Sequence, residues 1–170
     1  MQYNVETLMF QDDGEIPNNP DLPVIVYKLI FKENPEAIED TFNRHKWTGS
    51  WTGGVFSYHH YHSNTHEVLG VKRGNATILV GGEWGERLKV ETGDVVVLPA
   101  GTGHKKIKSS DEFEVVGAYP GGMNPDLRKR DTKLRAQDLS EIKHVPIPKT
   151  DPVFGDKGPL LEKWIKHKED

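Results

Sequence analysis

From Val55 to Ala118 the chain repeats one rhythm, a short run rich in valine, isoleucine and leucine followed by glycine, and this rhythm restricts the fold more than any other feature. Strands are predicted over residues 55–62, 68–72, 76–80, 88–90, 95–98, 105–108 and 113–118. Gly74, Gly81-Gly82, Gly85, Gly93 and Gly101 stand between them, at the close spacing of hairpins in a small barrel. The stretch Gly81-Gly82-Glu83-Trp84-Gly85 reads as a hairpin tip. An all-β fold is expected.

Two further strands are predicted over 3–10 and 23–31, parted by the turn clusters Asp12-Asp13-Gly14 and Pro17-Asn18-Asn19-Pro20. One N-terminal helix is expected over 34–46, with Asn34 as its cap, Pro35 in its first turn, and Ala37, Ile38, Thr41 and Phe42 on its apolar side. Residues 47–51, with Gly49 between two tryptophans, read as a loop. Past Tyr119-Pro120-Gly121-Gly122 the periodicity fades into a charged, proline-bearing arm. A helical turn is expected there over 138–142, and a short amphipathic segment over 160–166 anchored by Leu161, Trp164 and Ile165. Residues 1–170 thus form one domain, with strands and helix in 1–46, a barrel core over about 47–120 and an arm over 121–170.

Composition excludes several function classes. The 22 basic and 26 acidic residues give a net charge of -4, and the basic ones are scattered, so no nucleic-acid footprint is expected. The absence of cysteine excludes disulfides, thiolate metal sites and cysteine nucleophiles, so any metal must sit on nitrogen and oxygen. The first residues lack the pattern of a signal peptide and no apolar run is long enough to span a bilayer, so a cytoplasmic protein without a membrane partner is expected.

Within this frame lies Tyr58-His59-His60-Tyr61-His62, followed by Glu67 and later His104. Residues two apart on a strand share a face, about 7 Å apart along it, so His60 and His62 are placed to chelate. Ser63-Asn64-Thr65 turns the chain, Glu67 enters from the next strand, and His104 follows the Pro99-Ala100-Gly101 turn. Histidines on a strand can also be hydrogen-bonded core residues, but the carboxylate and the third imidazole shift the reading to a metal site. Three imidazoles and one carboxylate suit one divalent Fe, Mn, Ni, Co or Zn ion, with room left for water or substrate. His59 falls on the opposite face and His66 precedes a ligand, so both read as supporting or surface residues. His45, His144 and His167 read as solvent-facing.

The spacing carries a family resemblance. Gly54, His60, His62, Glu67 and Gly74 match the first motif of the cupins at every interval, and Gly93, Pro99, Gly101 and His104 match the second. The second motif departs at its end, where Lys108 replaces the usual asparagine. The stretches HHYHSNTHEVLGV, LPAGTGHKK, VVGAYPGG and DPVFGDKGPL are similar to YjlB-type single-domain cupins, across most of the chain. The resemblance implies an RmlC-like jelly-roll barrel, a double-stranded β-helix with one N-terminal helix and short C-terminal helical segments. It also implies a metal site and pairing of the chain as a homodimer.

Lys106 and Lys108 share the face of His104 if the strand is regular, which makes the pocket cationic and Lys106 a candidate to stabilise negative charge; a bulge or strand end sends both into solvent instead. Phe56 and Tyr58 share the parity of His60, and Leu69 and Val71 that of Glu67. Together they predict an apolar wall carrying one phenol, with Tyr58 as candidate proton donor. The expected function is a metal-dependent enzyme of oxygenase, isomerase or lyase type acting on a small anionic metabolite. The alternative is a non-catalytic metal- or small-molecule-binding module.

Overall fold

Valine-rich strands buried on both faces organise the molecule, whose computed structural model describes residues 4–165. Tyr3, Lys166 and His167 lie outside the described residues. One sheet has six strands: β1 (Asn4–Leu8), β2 (Val24–Lys28), β3 (Trp47–Gly53), β5 (Glu67–Arg73), β8 (Val95–Leu98) and β10 (Glu114–Pro120), in the order β1-β2-β8-β5-β10-β3. The other has five: β4 (His60–Tyr61), β6 (Asn75–Val80), β7 (Glu86–Glu91), β9 (His104–Ser109) and β11 (Arg128–Lys129), in the order β11-β4-β9-β6-β7. Every pairing is antiparallel.

The two sheets face each other across an apolar interior built from alternate residues. Val24 and Val26 of β2, Leu69 and Val71 of β5, and Val96 and Leu98 of β8 point inward to meet Ala76, Ile78 and Val80 of β6. The intervening residues Ile25, Tyr27, Val68, Val95 and Val97 point the other way and are equally buried, under Ile38 and Phe42 of helix α1 (Ile38–Arg44) and under Leu160 and Trp164. A sheet covered on both sides needs apolar residues at both parities, which is why β2 and β8 read Val-Ile-Val-Tyr and Val-Val-Val-Leu without alternation. Gly70 lets α1 come close, since a Cβ there would lie 2.6 Å from Ile38 Cγ2.

Four expectations are corrected, the first being the strand predicted over 55–62, of which β4 keeps only His60–Tyr61. Residues 47–51 form most of β3 instead of a loop; Gly49, at φ 64°, absorbs a bulge opposite β10, so a residue that reads as a breaker lies inside a strand. Asn34 makes no side-chain cap, and a 3-10 turn over Pro35–Ala37 leads into α1. The arm carries more helix than expected and is anchored differently: α2 (Arg135–His144) runs ten residues, and around α3 (Pro159–Lys163) Leu160 and Trp164 enter the core while Ile165 is exposed. Helix α2 was underestimated because one of its two buried residues is Asp138, which accepts a 2.7 Å hydrogen bond from the Tyr61 hydroxyl and pairs with Arg128. A polar anchor of this kind leaves no apolar periodicity.

Candidate metal centre

His60 and His104 meet because β4 and β9 pair in register at these two residues, bringing their ring centroids to 4.1 Å. His62 stands just past β4, its ring 5.8 Å from that of His60 and 5.9 Å from that of His104. The chain then crosses between sheets, and Glu67 opens β5 on the facing side. Its Oε1 lies 3.4 Å from Nε2 of both His62 and His104. One ligand atom from each of the three histidines falls within 4.8 Å of the others. The structure therefore gathers all four residues that the sequence singles out, at the end of a cavity of about 280 Å³.

Backbone carbonyls orient the three rings. Nδ1–H of His60 donates to Tyr58 O at 3.1 Å, that of His62 to Asp126 O at 2.5 Å and that of His104 to Thr102 O at 3.0 Å. With the Nδ1 protons so committed, Nε2 of His62 and of His104 faces the carboxylate of Glu67, which is 3% exposed, and His60 offers its own ligand atom within 4.8 Å of theirs. Lone-pair donors aimed at one another repel until a cation stands among them, and a divalent ion meets that requirement. The donor set fits the metal.

The electrostatics agree. Burial, then the neighbouring His104, pushes His60 down to about 3, so it is a neutral imidazole at working pH. Burial also opposes charge on His62, but Glu67 and then Asp126 outweigh it and raise its pKa, a proton there substituting for a cation. Burial would raise Glu67, yet its bonds to His104 and His62 hold it well below the usual carboxylate range.

Tyr119, which the sequence reading passed over, completes the centre. Its hydroxyl accepts from Trp51 Nε1 at 2.8 Å; burial first and the nearby Glu67 carboxylate second keep the phenol protonated. It lies just past the strand predicted to end at Ala118, next to a proline, and no short motif marks it. Also unforeseen was the segment from Asn124 to Arg128. Asp126 binds Ser63 through its backbone N–H and its hydroxyl, and Asn64 holds Asn124 O and Asp126 N–H, so this segment closes one side of the cavity over the ligand turn.

The remaining candidates are placed differently. Phe56 and Leu69 line the cavity and Val71 lies deeper in the barrel, but Tyr58 is outside the lining, 36% exposed, stacked on Phe56 with Lys129 Nζ 4.4 Å from its ring centroid. Lys106 pairs opposite Ile78, its amide bound to Phe56 O, and its side chain is likewise outside the lining. A register shift between Thr77 and Ile78 then turns Lys108 out to solvent. Of the two alternatives, the bulge holds for Lys108, while Lys106 keeps the face of Ile78 and His104 without entering the cavity lining. His66 is a buried tie: Nδ1 accepts the Ala100 N–H at 2.9 Å and Nε2–H donates to Pro146 O at 3.1 Å. His59 is 4% exposed, with burial and then Lys105 pushing it down to about 4. His45 is half-buried and bound to Pro152 O, while His144 is exposed.

Comparison with known proteins gives a consistent result. Residues 50–116 match the family described as "Cupin domain". An uncharacterised Bacillus subtilis (strain 168) protein, YjlB, is 48% identical over 166 residues, 98% of this chain and 100% of that protein. Among solved structures, a double-stranded β-helix protein from Klebsiella pneumoniae is 14% identical with a TM-score of 0.39, covering 77% of this chain and 81% of that one. Acireductone dioxygenase from Bacillus anthracis, with cadmium in its active centre, is 18% identical with a TM-score of 0.38, covering 57% and 66%. Likeness at these scores carries no argument about substrate or reaction.

Proposed function

The chain belongs to the cupin family, and on that premise we propose that His60, His62, Glu67 and His104 hold one divalent metal ion that acts on a small molecule entering the cavity. The observation that carries the proposal is the clustering of three imidazoles, each tied through Nδ1 to a backbone carbonyl, with two of them 3.4 Å from one buried carboxylate. A bound divalent ion supplies Lewis acidity and, in the case of iron, redox capacity.

The chain's own residues supply the rest. Three neutral histidines and one carboxylate leave a divalent centre with a net charge of about +1, which favours a ligand with one anionic oxygen. Tyr119 lines the cavity beside Glu67, and Trp51, Phe56 and Leu127 narrow the approach of water. Oxygenase, isomerase and lyase chemistry all fall within this reading. A homodimer in the cytoplasm belongs to it too, in keeping with an N-terminal strand β1 that leaves one edge of its sheet unpaired among the described residues. No helix among those residues is long and apolar enough to cross a membrane.

The deciding experiment is elemental analysis of protein purified without added metal, alongside His104→Ala and Glu67→Gln, followed by oxygen-uptake and substrate-depletion screens. The expected result is about one divalent ion per chain in the unaltered protein, lost in His104→Ala. Unaltered protein that stays metal-free under metal-replete conditions overturns the proposal.

A further inference from the structure

The cavity walls say more about the ligand than the metal cluster does. Beyond the four cluster residues, the lining is carbon from Trp51, Val55, Phe56, Leu69, Pro125 and Leu127. Three of the side chains there carry polar groups, Trp51 included, and each has a partner. The Tyr119 hydroxyl accepts from Trp51 Nε1 and feels the nearby Glu67 carboxylate. The Asp126 carboxylate takes the backbone N–H and hydroxyl of Ser63 and lies 3.5 Å from Arg128 Nη2. The described lining includes no lysine or arginine. Lys129 lies over the Tyr58 ring, beyond Phe56 and outside the lining.

We infer that the ligand is a small oxygen chelator carrying a single negative charge and an apolar alkyl or aryl body, with no second charged group. The inference rests on the metal reading above and extends it to substrate class. One anionic oxygen matches the net charge left at the centre. A second carboxylate, a phosphate or a set of sugar hydroxyls would leave water and meet mostly carbon, with no lysine or arginine in the described lining to receive it. An alkyl or aryl group loses no hydrogen bonds on entry and gains from being removed from water. At about 280 Å³ the cavity lies at the small end for ligand sites, so the body is limited to one ring or a short chain.

Matched hydroxamates test this on the metal-loaded protein, with metal content measured on the same sample. Butyrohydroxamate and succinic monohydroxamate chelate through the same oxygens and differ at the far end, methyl against carboxylate. Isothermal titration should show butyrohydroxamate binding at least about tenfold more tightly, and benzohydroxamate more tightly than acetohydroxamate. Leu127→Lys, a change at a 44% exposed wall residue, should shrink or reverse the first preference. Equal or tighter binding of the carboxylate-bearing probe, or no binding of butyrohydroxamate, overturns this inference while metal content leaves the metal reading standing. Protein without metal overturns both.

Discussion

His62 and Asp126, sixty-four positions apart, are joined by a 2.5 Å hydrogen bond from the imidazole Nδ1–H to the aspartate main-chain carbonyl. The bond makes one proposed ligand depend on the segment that leads into β11, the neighbour of β4 in its sheet, and that segment is itself held by the Asp126 side chain. Asp126→Ala keeps the carbonyl but releases its anchors on Ser63. Metal affinity, measured by competition with a chromogenic chelator, should fall by about tenfold or more, with roughly 1–3 kcal/mol of stability lost. Unchanged affinity would show that the segment is a wall and not a support.

Gly117 faces the indole of Trp51 so closely that a Cβ there would lie 2.3 Å from Trp51 Cε2. Gly117→Ala should therefore push the indole into the cavity, cost about 1–3 kcal/mol, and weaken benzohydroxamate binding while metal content is unchanged. Calorimetry on the variant reads both effects.

The Tyr27 hydroxyl donates to Asp151 Oδ2 at 2.8 Å in the core, and burial first, Asp151 second, raise its pKa above the ordinary value of 10. The folded chain then retains a proton that the unfolded chain releases. Stability is thus fully present below about pH 10 and falls as pH rises past it, by up to roughly 1.4 kcal/mol per unit. Denaturant unfolding between pH 8 and 11, at about half-unit steps, should show a slope that Tyr27→Phe flattens. An equal slope in the variant would assign the effect to other groups.

Trp164 is 2% exposed, its indole N–H bound to Pro23 O at 2.9 Å and its ring 4.7 Å from that of His66. Trp164→Ala should cost about 3–5 kcal/mol in chemical unfolding. Through His66, which accepts the amide of Ala100, it should also raise hydrogen exchange in the turn before His104. A loss below about 1 kcal/mol would make the C-terminal arm an accessory and not part of the core.

Most of the barrel was legible because its strands carry their own signals: valine-rich runs bounded by glycines place β5 through β10 to within about two residues. Where a strand carried a contrary local signal it was missed. Gly49 concealed β3, and β11 is two residues long with no apolar pattern. Helix α2 was shortened in the reading because its anchor is the buried carboxylate of Asp138, satisfied by Tyr61 and Arg128 from other elements.

What the sequence alone determined was which four side chains could serve as donors, because chelating residue types at strand and turn spacing are local properties of the chain. Which groups surround those donors was decided only by tertiary structure. A single bulge opposite Thr77 and Ile78 turned Lys108 away, the end of β10 brought Tyr119 to Glu67, and a distant segment laid Pro125 and Leu127 over the opening. Each of these depends on register and on contacts between residues far apart in the chain. Local periodicity does not encode such contacts, so the choice between lysines at the cavity and lysines in solvent was open until the register was known.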